Sequence, residues 1–323
     1  MTKYRERYYN RITMKLNQLR NLLAIADKGS VRAAARHLGV SQPQLTRSMQ
    51  ELEHELGVTL FERGARGIAL TAVGLRFLAR AQTIHSEVRR AQEEIAQLQG
   101  DTAGSLFVCM STVPHIALFP YALKEFRKRY PDVVMDVRDG VFPTVEGLLK
   151  IGTLDCYIGP APEQPPGSDL VVEKLFDNTR VILCRRGHPL SGARSLRELT
   201  GAQWATTSIT YKAEEELGPL FAQHGLPAPT LALKAHSALT YITAVAYSDL
   251  LTMLPVQWAD FDITRNALDI IHVKEALPAP PICIVRRADL PLTLAAEYFC
   301  DMMRRASAHL LQARAAKPKR RAG

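Results

Sequence analysis

The 323-residue sequence predicts an N-terminal winged helix-turn-helix, a long linker helix, and then two α/β lobes. Three observations carry that expectation. Residues 30–60, SVRAAARHLGVSQPQLTRSMQELEHELGVTL, read as two helices joined by a tight turn at Leu38-Gly39-Val40. Ala81, Ile84, Val88, Ala91, Ile95 and Leu98 recur at three and four residues, the spacing of a heptad seam. Beyond residue 104, short apolar strands alternate with helical segments, which is βαβ logic and implies a mostly parallel sheet.

The first helix carries Leu16, Leu19, Leu22/Leu23 and Ile25/Ala26 as its apolar stripe and closes at Gly29. Ala33, Ala34 and Ala35 crowd the second helix with small residues, which lets another helix cross closely. The third helix starts at Ser41, whose hydroxyl is placed to cap free N–H groups, with Gln44 completing a capping box. Pro43 is tolerated in the first turn, where no N–H donor is needed. Leu45, Met49, Leu52 and Leu56 share the predicted buried face. Ser41, Gln42, Pro43, Thr46, Arg47 and Gln50 fall on the other side. Gln bonds adenine, Arg bonds guanine, and Thr and Pro meet a thymine methyl, so these are candidate DNA contacts. A solvated helix face often carries such residues; the short turn, the cap and the alanine-rich partner favour DNA reading.

Val58 to Leu70 holds Arg63-Gly64-Ala65-Arg66-Gly67 between apolar ends, the pattern of a β-hairpin wing. Arg63 and Arg66 are its candidate DNA contacts, with Arg66 at the tip suited to a minor groove. Thr71 then caps a helix reaching about Gln99. Its seam has nothing local to cover it, which predicts a homodimer through this linker helix, as two DNA half-sites require; packing against the chain's own effector domain is the alternative.

The charge is uneven. Residues 1–100 carry 16 Lys+Arg against 9 Asp+Glu, residues 304–323 carry 7 and no acid, and the middle carries 18 against 23. A basic end on an acidic middle suits a protein whose N-terminal region alone meets nucleic acid. The five cysteines, Cys109, Cys156, Cys184, Cys283 and Cys300, form no CxxC pair and read as buried, reduced thiols, with a redox-sensing pair as the weaker alternative. No apolar run is long enough to span a bilayer, and the charged start MTKYRERYYNRIT lacks the apolar stretch of a secretory signal. The expected location is cytoplasmic, with no membrane partner.

Residues 15–100, through LNQLRNLLAIADKGSVRAAARHLGVSQPQLTRSMQELEHELGVTLFERGARGIALTAVG and the helix after it, resemble the N-terminal region of LysR-type transcriptional regulators. The resemblance weakens beyond about residue 105, although the layout persists. It implies an effector domain of periplasmic-binding-protein type and double-stranded DNA with an interrupted palindrome as target. It also implies a small organic acid as effector, homotetramers built on the dimer, and RNA polymerase as a partner. The implied division is an extension at 1–13, the DNA-binding domain at 14–71 and the linker helix at 72–100. Lobe I then takes 101–175 and 279–310, lobe II takes 176–278, and a basic tail covers 311–323. Chains of this kind begin near a Met-x-Leu such as Met14-Lys15-Leu16. Residues 1–13 are therefore either a basic arm or the product of a start codon placed too early; the second is favoured.

Open α/β sheets place ligands beyond strand ends, against helix N-termini. Ser111-Thr112 and Thr207-Ser208 fit that rule in the two lobes, each offering hydroxyls and N–H groups to an anion, though N-caps are the commoner role of such residues. Gly159-Pro160 and His236-Ser237 end further strands. Phe142 and Ile158 supply apolar surface suited to an aromatic ring. Ser248 and Asp249, in AYSDLLTMLP, stand where the family commonly has glycines, which puts that turn in question.

No Gly-x-Ser-x-Gly, His-Glu-x-x-His or Walker sequence is present, and no His/Cys spacing suggests zinc. No catalytic residue, metal or cofactor is expected. The reading is a transcriptional regulator; the alternative is a metabolic enzyme or ligand-binding domain fused to a DNA-binding domain.

Overall fold

The computed structural model describes residues 14–64, 67–207, 213–262 and 264–316. The chain divides into two compact units. The first is residues 1–92 with 151–153; the second is 93–150 with 154–323.

In the first unit, α1 (Leu16–Lys28), α2 (Val31–Leu38) and α3 (Gln42–Leu56) precede a two-stranded hairpin, β1 (Phe61–Gly64) and β2 (Gly67–Leu70). Gly39 ends α2 at φ 67°, and its N–H returns to Ala35 and Arg36 carbonyls. That left-handed backbone suits a residue without Cβ and sets the turn into α3. Ala34 and Ala35 are buried against Leu45, Met49 and Leu52 in one core with Leu19, Leu22 and Ile25. Leu16 and Leu56, both read as stripe residues, are 55% and 37% exposed; each sits at a helix end, where its face has run past the core. Ser41 accepts the Gln44 N–H at 3.4 Å, one half of the expected capping box.

The linker helix α4 (Ala72–Leu98) begins under Thr71, whose hydroxyl accepts the Gly74 N–H at 2.9 Å and donates to the Thr59 carbonyl at 2.8 Å. Ala81 is fully buried in the core of the first unit, so the exposed seam starts later, at Ile84. Ile84, Ala91, Ile95 and Leu98 face outward and Val88 is half-buried.

The second unit opens with β3 (Gly104–Met110), α5 (Thr112–Ala117), α6 (Phe119–Arg129), β4 (Val133–Asp139), α7 (Glu146–Lys150) and β5 (Cys156–Pro160). The helical stretch between β3 and β4 is broken at Leu118, because Pro120 in the first turn of α6 has no N–H for continuation. Next come β6 (Leu170–Arg185), β7 (Gln203–Thr207), α8 (Ala213–Gln223), β8 (Thr230–Ala235) and α9 (Ala238–Ala246). The chain ends with β9 (Thr252–Pro255), α10 (Gln257–Asp260), β10 (Leu268–Ile271), β11 (Pro278–Arg287) and α11 (Leu294–Ala316).

The sheet is less parallel than expected. β3 pairs β4 and β5 in parallel, and β7 pairs β8 in parallel. The two connecting strands, β6 and β11, run antiparallel to each other, and β11 also runs antiparallel to β5. The far half of β6 pairs antiparallel with β9 and β10. One 16-residue strand therefore serves both lobes, and β11 carries the chain back. Each lobe has its own core: Phe126, Ile158, Ile284 and Phe299 in the first, Trp204, Phe221 and Leu251 in the second. Phe126 and Phe299 meet edge-on at 5.7 Å, joining α6 to α11.

The turn at Ser248-Asp249 needs no glycine, since no described non-glycine residue has positive φ. The Ser248 hydroxyl donates to the Ala244 carbonyl at 2.6 Å and accepts the Leu250 N–H at 3.3 Å. The Asp249 carboxylate pairs with Arg185 at 2.6 Å. Side chains do there what glycines do elsewhere.

Candidate DNA-reading face and effector cleft

On α3, Ser41, Gln42, Pro43, Thr46, Arg47 and Gln50 are all exposed while Leu45, Met49 and Leu52 are buried. Asn21 of α1 donates to the Ser48 hydroxyl at 2.9 Å and fixes the helix crossing. The Arg47 guanidinium, 83% exposed, pairs with Glu51 one turn on at 3.0 Å. Glu53 was not singled out by sequence: its carboxylate accepts the Leu60 and Phe61 N–H groups at 2.6 and 3.1 Å, tying α3 to the wing. Arg63 lies on β1, but its side chain, and the whole of Arg66, fall outside the described residues.

In the second unit a cavity of about 70 Å³ lies between the lobes. Ser111, Thr112 and Pro160 line it from lobe I. The connecting strands contribute Asn178, Arg180 and Pro280, and lobe II contributes Thr206 and Tyr241. The Ser111 N–H donates to the Ile158 carbonyl at 3.0 Å, while its hydroxyl is buried with no partner. A buried, unsatisfied hydroxyl is costly and marks a place where a ligand or water supplies the missing bond. Gly159 brings the strand close: a Cβ there would meet the Tyr157 hydroxyl oxygen and stand 3.0 Å from the Ser111 hydroxyl.

Asn178, itself buried, accepts from the Gln257 amide at 2.9 Å, which leaves the Gln257 carbonyl oxygen without a partner. The half-buried Arg180 donates to the Pro278 carbonyl at 2.6 Å. The buried Tyr241 hydroxyl bonds the Thr252 hydroxyl and the Ala205 carbonyl; burial pushes its pKa up, so it stays a neutral donor.

The remaining sequence candidates are dispersed. Thr207 closes β7, but its side chain and all of Ser208 lie outside the described residues. Ile158 buries its side chain in the lobe I core and offers only its carbonyl to Ser111. Phe142 packs edge-on against Tyr157 at 5.1 Å and lines a separate, larger cavity of about 550 Å³, with Pro160. His236 and Ser237 are exposed at the end of β8 and line neither cavity. Asn178, Arg180 and Tyr241 were missed by sequence. A signal existed for two of them: the polar run Asp177-Asn178-Thr179-Arg180 interrupts β6 between apolar ends.

All five cysteines are free and buried. Burial pushes Cys109 up to about 12 and Cys184 to about 11; the Cys300 thiol beside Cys156, with burial, raises Cys156 well above the usual thiol range. Among the described residues no group of three or more His, Cys, Asp or Glu is placed to hold a metal, and no helix is long and apolar enough to cross a membrane.

A helix-turn-helix with an exposed polar recognition face, joined to a two-lobed domain whose cleft holds buried polar groups, defines a DNA-binding regulator with a fused effector-binding domain. Residues 16–75 match the family model for the bacterial regulatory helix-turn-helix protein of the lysR family, and residues 99–308 match the LysR substrate binding domain. The chain belongs to the LysR family of transcriptional regulators. It is 30% identical to an SDS degradation transcriptional activation protein of Pseudomonas sp., over 87% of this chain and 93% of that one. It is 25% identical to the regulator GbpR of Azospirillum brasilense, over 93% and 89%. The fold is shared with the LysR-family regulator CbnR at a TM-score of 0.67 and 22% identity, covering 91% of this chain and 99% of that chain. A full-length OxyR variant of Pseudomonas aeruginosa matches at 0.66 and 24%, over 90% and 95%.

Proposed function

We propose that this regulator reads double-stranded DNA at an interrupted palindrome through Gln42, Pro43, Thr46, Arg47 and Gln50, with Ser41 and the wing residues Arg63 and Arg66 on the flanking backbone and minor groove. The observation that carries this reading is the complete separation of faces on α3, where every candidate base reader is exposed beside a fully packed core. A homodimer through α4 supplies the two half-sites; the exposed Ile84, Ile95 and Leu98 support it, and tetramers would build on it. A small organic acid is sensed in the cleft at Ser111, Thr112 and Arg180, with Gly159 and Pro160 shaping the wall. Response at the promoter runs through RNA polymerase, in the cytoplasm, and involves no enzymatic turnover. The name of the Pseudomonas sp. relative, which speaks of transcriptional activation, supports that reading.

Binding-site selection from a random DNA pool, followed by titration of Arg47→Ala, tests the reading face. The variant is expected to lose about 1–3 kcal/mol at one base position and relax preference there. Unchanged preference would move the reading residues elsewhere. Ile84→Glu with Ile95→Glu is expected to abolish the dimer in light scattering and operator binding with it.

A further inference from the structure

We infer that the effector is an elongated amphipathic acid, its anionic head held beside Ser111 and Arg180 and its apolar body seated in the proline-lined chamber next to Phe142. The inference rests on the effector-cleft reading above and adds the class of molecule.

Volume decides the matter. The cavity between the lobes is about 70 Å³, far below the roughly 300–1,000 Å³ of a small-molecule site. It has room for a carboxylate and little more. The neighbouring chamber is about 550 Å³, within that range. The two spaces adjoin, since Pro160, Arg180 and Pro280 line both. Both are lined mainly by apolar groups and differ in the polar groups they offer. The small space holds the Ser111 hydroxyl, buried and without a partner, together with Thr112 and Asn178. The large one is walled by Phe142 and the prolines of residues 160–166 and 280–281. Glu146, Glu163 and Gln164 also line it, and Glu146 is paired with Lys150 at 2.9 Å. Arg180 stands at the junction, where the charge of such a ligand would change to its apolar part. Arg180, on the connecting strand β6, is the one residue of 176–278 that lines the chamber, so a ligand spanning both spaces meets the rest of lobe II only through its head.

Calorimetry on the full-length protein with acetate, hexanoate, decanoate and the neutral decanol tests this. Affinity is expected to rise along the acids, by about fourfold for each methylene that becomes buried. Decanol is expected to bind at least tenfold more weakly than decanoate, lacking a charge-assisted bond. Ala161→Trp, which fills the chamber, is expected to flatten the rise. Phe142→Ala, which removes one wall, should reduce it, and serves if the tryptophan variant misfolds. Ser111→Ala should weaken hexanoate and decanoate by a similar factor and leave the rise intact. If acetate binds as tightly as decanoate and still depends on Ser111, the chamber is excluded while the cleft reading stands. If chain length matters but Ser111→Ala and decanol change nothing, the head is not in the cleft and both readings fall. Absence of binding by every acid overturns the amphipathic-acid inference and leaves the cleft reading to organic acids of another shape.

Discussion

The recognition helix and the effector cleft solve opposite problems. On α3 the residues proposed to meet DNA stand in solvent, and none of them belongs to the core beneath. In the cleft the groups proposed to hold the effector belong to the fabric of the lobes. Ser111 and Tyr241 are nearly fully buried, and Asn178 is locked to Gln257. Stability and function are separable in the first region and fused in the second. A substitution at the DNA face should alter reading without loosening the fold. A substitution at the cleft should move both.

The largest expected effect probes the first half of that contrast. Glu53→Ala removes the acceptor of two backbone N–H groups at the entry to the wing and should cost about 1.5–3 kcal/mol, seen as an earlier urea transition of the DNA-binding unit. Base preference at the α3 positions should survive in the folded fraction; a changed preference would mean that reading and stability are coupled there too. Gly159→Ala probes the second half. Its methyl would crowd the Tyr157 ring, whose ζ carbon stands 2.5 Å away, and the Ser111 hydroxyl, at a cost of about 1–3 kcal/mol. Calorimetric unfolding and acid binding should both suffer, and loss of only one would break the claim of fusion.

A smaller effect asks whether that fusion is confined to the cleft. Arg304 grips Glu173 with two bonds of 2.8 Å and holds its carboxyl below the usual range. The folded-state pKa is depressed, so the stabilisation is present above the unfolded value and is lost as pH falls through the folded one. With both side chains partly exposed, Glu173→Gln should cost about 1 kcal/mol at neutral pH and nothing in acid, by urea unfolding at each pH. Acid binding should not change. The smallest effect is Glu51→Ala, which frees Arg47 at about 0.3–0.5 kcal/mol of helix stability. DNA titration should show equal or tighter binding, since an acid leaves the interface.

The same contrast explains what could be read from sequence. The helix-turn-helix is made by neighbours in the chain, so its cap, turn, alanine crossing and two faces are all present within 31 consecutive residues. Errors there were at the ends: Leu16 and Leu56 continue the pattern after the core has stopped. The lobes are made by residues far apart. Ser111 was legible because it ends a strand and opens a helix. Arg180 showed only as part of a polar run and Tyr241 not at all, because their place in the cleft depends on β6 running through both lobes and on where β9 pairs with it. The antiparallel pairing of β6 with β11 leaves no periodicity that separates it from a parallel strand.

Gln97, near the end of the linker helix, accepts the backbone N–H of Ala295 at 3.1 Å, almost two hundred positions later. Both residues are buried. The linker's last turns are therefore a stopper for the first turn of the final helix, and they share the stability of the sheet domain rather than that of the DNA reader. Cutting the chain after Gly100 to isolate the sensor would strip that stopper and strand a buried donor, at about 1–3 kcal/mol. A fragment that keeps residues 93–100 should melt higher than one that starts at 101, and the natural seam for dissection lies inside a helix rather than at its end.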